Sequence, residues 1–122
     1  MKMSFHDFFS VPGKPPENVL ALASSTTSIR VKWNRVPRDS DIIQFKVYYE
    51  TANSQNETTS MINVNVTEDS VEIRRLKNFV NYTVWVRSVS RQGLGVSSLP
   101  IYVRTLEDGK DCLRSLIFNL SS

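Results

Sequence analysis

Between residues 15 and about 107, apolar and polar side chains alternate in short runs, and this period of two predicts β-strands almost throughout. In the run from Ser28 to Trp33, Ile29, Val31 and Trp33 fall on one face and Arg30 and Lys32 on the other. Phe45, Val47 and Tyr49 alternate with Lys46, Tyr48 and Glu50, and Ile62, Val64 and Val66 are in phase in the next run. Val71 and Ile73 mark a short strand, Tyr82, Val84 and Val86 the inward set of another, and Ile101 and Val103 that of the last. An opening edge strand is predicted at Asn18 to Leu22, kept short by Pro15 and Pro16 before it. Short strands separated by polar turns, without helical periodicity, predict an all-β, seven-stranded antiparallel sandwich.

Composition changes at both ends of this region. Residues 1–14 carry scattered Phe5, Phe8 and Phe9 and are predicted to be a flexible segment or linker. Residues 108–122 open on the turn-like Asp108-Gly109-Lys110-Asp111 and end in Leu113, Leu116, Ile117, Phe118 and Leu120. That cluster is too short to insert in a membrane, which needs about 20 apolar residues, and is predicted to be a poorly ordered tail. A length of 122 residues, 40% of them hydrophobic and 22% charged, fits one domain with enough apolar material for a core.

The remaining chemistry mostly excludes. The net charge of +3 is mild and no dense Lys/Arg run points to nucleic acid; Arg74, Arg75 and Lys77 form the tightest basic cluster. Cys112 is the sole cysteine, so no internal disulfide and no cysteine-based zinc site can form. His6 is also alone, which removes Ser-His and Cys-His arrangements within the chain. Asp39 and Asp41 sit in a stretch that reads as a surface turn, and Gly93-Leu94-Gly95 lacks the third glycine and helix of a dinucleotide site. No catalytic residue, metal or cofactor is therefore predicted. The N-terminal stretch is a poor signal-peptide core, so the chain is expected to be part of a larger protein or to stay inside the cell.

Several landmarks fall in one order: Pro15-Pro16-Glu17-Asn18-Val19, then Trp33, Leu76 six positions before Tyr82, Gly93 and Gly95, and finally Ser98, Pro100, Val103, Arg104 and Thr105. Over about residues 15–107 the chain resembles a fibronectin type III domain, an immunoglobulin-like sandwich that requires no disulfide. The resemblance implies a structural core around Trp33, Leu76 and Tyr82, with the Tyr82 hydroxyl bonded back to the preceding turn. It also implies a loop at Gly93 and Gly95, where positive φ would suit glycine. Where family members often carry Pro and Thr inside the corner, this chain has Asn78 and Val80. The opening and the Thr27-to-Trp33 run are loosely similar to those of neuronal adhesion receptors and receptor-type phosphatases. An Arg-Gly-Asp tripeptide and a Trp-Ser-x-Trp-Ser box are both absent.

Strand phase places the outward residues. Lys46, Tyr48 and Glu50, Thr83, Trp85 and Arg87, and Tyr102 and Arg104 should share one outer face. Of these, Lys46, Tyr48, Trp85, Arg87, Tyr102 and Arg104 are candidate protein-binding residues, with cation–π pairing among them, because exposed aromatics with arginine are enriched at binding hot spots. The alternative reading is that they cover the sheet and stabilise it through cross-strand pairs. Arg30, Lys32, Glu72 and Arg74 occupy the opposite face and suggest at most weak polyanion binding, with Glu72 breaking the positive field. Asn-x-Ser/Thr sequons at Asn56, Asn65, Asn81 and Asn119 are candidate glycosylation sites. The resemblance and the sequons together imply a non-catalytic interaction module in the extracellular region of a receptor or adhesion protein, binding protein partners or neighbouring domains. The alternatives are a structural spacer in a multidomain array and, with it, an intracellular setting.

Overall fold

The computed structural model describes residues 14–37, 40–52 and 59–107. They form eight strands: β1 (Leu20–Ala23), β2 (Ile29–Lys32), β3 (Ile42–Thr51), β4 (Ser60–Asn65), β5 (Ser70–Ile73), β6 (Asn81–Ser90), β7 (Gly93–Ser97) and β8 (Ile101–Arg104). All pair antiparallel in two sheets, one ordered β1-β2-β5 and one ordered β4-β3-β6, with β7 and β8 both paired to β6. Apart from Lys14, the predicted flanking segments lie outside the described residues, as do Asn56 and Asn119.

The alternating residues close the core between the sheets. Ile29, Val31 and Ile73 from one sheet meet Phe45, Val47, Val64, Val84 and Val86 from the other, all buried, with Trp33, Leu76 and Tyr82 completing the cluster. The Trp33 and Phe45 rings meet at 5.2 Å, tilted by 53°, so the indole fills the space between the sheets at the end of β2.

The seventh strand is interrupted, which turns the predicted seven strands into eight. β8 pairs with the first part of β6 (Tyr82↔Val103) and β7 with the last part (Ser90↔Gly93). Between β7 and β8, Ser97 is followed by Ser98, Leu99 and Pro100, and Pro100 has no N–H to offer a ladder. Ser98 bridges the gap: its N–H donates to the Val86 carbonyl at 2.8 Å and its hydroxyl accepts from the Val86 N–H at 3.0 Å. The glycine expectation holds for the positive φ of Gly93 and is corrected in its placement, a strand where a loop was expected. Gly93 and Gly95 lie in β7; Gly93 takes a φ of 147° as the chain reverses, whereas Gly95 is buried within the strand.

The corner before β6 is built by hydrogen bonds. The Lys77 N–H donates to the Tyr82 hydroxyl at 2.8 Å, as the family resemblance implies. The buried Thr105 hydroxyl donates to the Lys77 carbonyl at 2.7 Å and accepts from the Val80 N–H at 2.9 Å. These bonds hold a loop in which Arg75 (φ 63°) and Phe79 (φ 52°) adopt left-handed backbone, a conformation that costs energy for residues other than glycine.

Candidate functional site

The five-stranded sheet brings the candidate residues onto one outer surface, in rows set by strand register. Lys46 lies opposite Arg87, Tyr48 opposite Trp85, Glu50 opposite Thr83, and Thr83 opposite Tyr102. Asn81 opposite Arg104 forms the end row, and β4 adds Asn63 beside Lys46 and Met61 beside Tyr48. The phase holds because Phe45, Val47, Tyr82, Val84 and Val86 commit the other side of the same strands to the core.

At the centre, Tyr48 and Trp85 stack with ring centroids 5.6 Å apart and planes 7° from parallel. Two rings facing each other across neighbouring strands gain both burial and offset-stacking energy. The flanking cations are occupied within the face. The Lys46 ammonium donates to Asn63 Oδ1 at 2.7 Å, and Arg87 Nε donates to the Gly95 carbonyl at 2.8 Å. Lys46, Tyr48, Trp85 and Arg87 are all half-buried, whereas Tyr102 is 71% exposed.

Cation–π pairing forms elsewhere than expected. The Arg104 guanidinium lies 4.5 Å from the centroid of the Phe79 ring, and its Nε donates to Asn81 Oδ1 at 2.8 Å. Strand geometry explains this: Arg87 shares a row with Lys46, not with an aromatic ring, and finds the nearby β7 carbonyl instead. Phe79, with 47% of its surface exposed, carries no pattern signal, because it lies in a turn outside any alternating run. Leu20 and Leu22 are likewise exposed, on the outer side of β1 opposite Lys32 and Arg30.

On the three-stranded sheet, Glu72 neutralises its neighbours. Its carboxylate lies 3.4 Å from both Arg30 and Arg74 and accepts a hydrogen bond from the Ser24 hydroxyl at 3.0 Å. The Ser24 hydroxyl, then Ser28, then the Arg74 and Arg30 guanidinium groups hold the Glu72 carboxyl below its ordinary pKa. A depressed carboxylate favours the folded state above its unfolded pKa, and this contribution fades as the pH falls through the folded value. Acid titration of the wild type should therefore show a loss of stability below about pH 4.3, the ordinary Glu range. The Glu72→Gln variant should show a smaller loss over the same window, with melting temperature against pH as the measurement. Identical slopes would show that the carboxylate is uncoupled from folding.

Among the described residues, no group of three or more His, Cys, Asp or Glu side chains is placed to hold a metal ion, and no helix is long and apolar enough to cross a membrane. Asn65 is exposed at the end of β4 and Asn81 is half-buried at the start of β6.

Two antiparallel sheets around a tryptophan and a tyrosine corner, with no disulfide possible within the chain, define an immunoglobulin-like sandwich of the disulfide-free kind. Residues 14–104 match the family model of the fibronectin type III domain. The chain belongs to the fibronectin type III family.

It is 37% identical over 101 residues to human cell adhesion molecule DSCAM, an alignment covering 80% of this chain and 5% of that protein. To Drosophila melanogaster tyrosine-protein phosphatase Lar it is 34% identical over 101 residues, with the same shares. The chain thus spans about 5% of the length of these curated relatives. Among solved structures, chicken CNTN1 FN1-FN3 domains align with a TM-score of 0.73 at 23% identity, covering 80% of this chain and 33% of that one. The FN5 domain of Drosophila Lar aligns with a TM-score of 0.66 at 27% identity, covering 81% of this chain and 100% of that domain. The looser likeness to adhesion receptors and receptor-type phosphatases read from the strand-opening motifs agrees with these relatives.

Proposed function

We propose that this domain is a non-catalytic protein-interaction module in the extracellular region of a cell-surface receptor or adhesion protein, and that it binds through the outer face of the five-stranded sheet. The observation that carries this reading is the stacked Tyr48–Trp85 pair, flanked by Lys46 and Arg87 and open on the Tyr102 side. Rings already held against each other lose little conformational freedom on binding, and Trp, Tyr and Arg are the residue types that dominate binding hot spots. Lys46, Arg87 and Arg104 outnumber Glu50 on the face, which favours a partner with an acidic rim. The extracellular setting is supported by the similarity to the cell adhesion molecules DSCAM and DSCAML1.

Screening the domain, multimerised on beads, against an array of purified extracellular domains would test this. Tyr48→Ala and Trp85→Ala should each weaken a captured partner at least about tenfold, or about 1.4 kcal/mol. Lys32→Ala, on the other sheet, should leave binding unchanged. If partners bind both aromatic variants as well as wild type while the variants melt earlier, the face reinforces a structural spacer instead. On the opposite sheet, Glu72 opposes polyanion attraction, so the domain should elute from a heparin column at low salt and Glu72→Gln should be retained longer.

A further inference from the structure

We propose that Asn65 is an N-glycan attachment site whose glycan overhangs the Lys46 end of the aromatic face and leaves its Tyr102 side open. The proposal rests on the extracellular reading above.

Asn65-Val66-Thr67 has the acceptor sequence, but a folded domain keeps a glycan only where the amide nitrogen reaches solvent. Asn65 is exposed and is the last residue of β4. Its Oδ1 accepts from the Thr67 N–H at 2.9 Å and from the Thr67 hydroxyl at 3.0 Å. A backbone N–H can only donate, so the oxygen must face the turn and Nδ2 must face away from it. A sugar on Nδ2 leaves both bonds intact. The Glu68 N–H also donates to the Asn65 carbonyl at 3.0 Å, so the turn keeps its shape without help from Nδ2.

Asn81 carries the same signal in a different setting. It is half-buried, paired with Arg104 on β8, and its carbonyl accepts from the Ala52 N–H at 2.8 Å. The Arg104 guanidinium that donates to its Oδ1 is itself held over Phe79. A glycan on Asn81 would have to leave a half-buried side chain inside the sheet, whereas Asn65 is exposed at the end of a strand that lies at the sheet edge among the described residues.

The position of Asn65 connects it to the face. Met61, Asn63 and Asn65 alternate along the outer side of β4, with residues two apart separated by roughly 7 Å. Asn65 is therefore one step from Asn63, which holds the Lys46 ammonium, and two from Met61 beside Tyr48. A glycan there overhangs Lys46 and the outer edge of β4, and leaves Arg87, the Tyr48–Trp85 row and Tyr102 open. Sheet edges need such cover against unwanted pairing.

To test this, the full 122-residue chain is fused to a secretion leader and expressed in glycosylating cells. The secreted protein is trimmed to a single N-acetylglucosamine per site and mapped by peptide mass spectrometry. More than half of the molecules should carry the tag on Asn65 and fewer than a tenth on Asn81. Asn65→Gln should abolish the Asn65 tag, and Thr67→Ser, which keeps the acceptor sequence, should retain it. A folded, secreted product unmodified at Asn65 would overturn the proposal. For the overhang, a bulky amine-reactive reagent should label Lys46 at least about threefold more slowly before enzymatic deglycosylation than after, with Lys32 unchanged. Equal rates at Lys46 would overturn that part. Because the leader imposes the secretory route and no partner is used, these outcomes are independent of whether the aromatic face binds.

Discussion

Replacing Phe45 with alanine is expected to cost about 3–5 kcal/mol, the range for deleting a buried aromatic ring. Phe45 is fully buried, and its ring packs at 5.2 Å against Trp33. Its neighbours belong to strands hydrogen-bonded on both sides of β3, to β4 and to β6, so they can shift little to fill the space. Cavity cost is largest where surroundings cannot collapse. Since domains of this size are stable by roughly 5–15 kcal/mol, the variant should lose a large part of its stability. For a domain near 100 residues, the melting temperature should fall by roughly 12 °C or more. Phe45→Leu keeps most of the volume and should lose less than half as much. Equal losses for the two variants in thermal or denaturant unfolding would show that ring contact with Trp33, rather than volume, dominates the site.

The same alternation that makes Phe45 predictable explains what could and could not be read from the chain. Where one face of a strand is committed to the core, its partner positions must face out. Lys46, Tyr48, Trp85, Arg87, Tyr102 and Arg104 therefore fall on one surface, as strand phase implies. Phase does not reveal lateral contacts. Whether Arg87 lies over a ring or bonds the Gly95 carbonyl depends on where β7 sits, and nothing local marks Gly93–Ser97 as a strand. That segment has two glycines and a single β-branched residue, and pairing with β6 recruits it against its weak propensity. Leu20 and Leu22 are apolar yet lie on the solvent side of an edge strand, so residue type alone does not identify the buried face there. The Arg104–Phe79 contact was illegible because it depends on the left-handed backbone of Phe79, which in turn depends on its bond to the Leu106 carbonyl at 3.2 Å.

The second large effect is expected at the corner, where distant parts of the chain are tied through two hydroxyls. Tyr82→Phe removes the acceptor of the Lys77 N–H but keeps the buried ring. Thr105→Val keeps the buried volume but removes the group that accepts from the Val80 N–H and donates to the Lys77 carbonyl. Each change should cost about 1–3 kcal/mol, because a part-buried polar group loses its partner. Both hydroxyls bond Lys77, one at its N–H and the other at its carbonyl. Once one is removed, the 77–80 turn is looser and the second bond holds it less well. The double variant should thus cost less than the sum of the singles, with a coupling of roughly 0.5–3 kcal/mol in a denaturant-unfolding cycle. Additive losses would mean that Tyr82 and Thr105 secure the turn independently. The Arg104–Phe79 contact gives a local readout of the same device. Amide exchange at Phe79 and Val80 should accelerate in Thr105→Val before the core strands lose protection, because the Val80 N–H donates directly to the deleted hydroxyl.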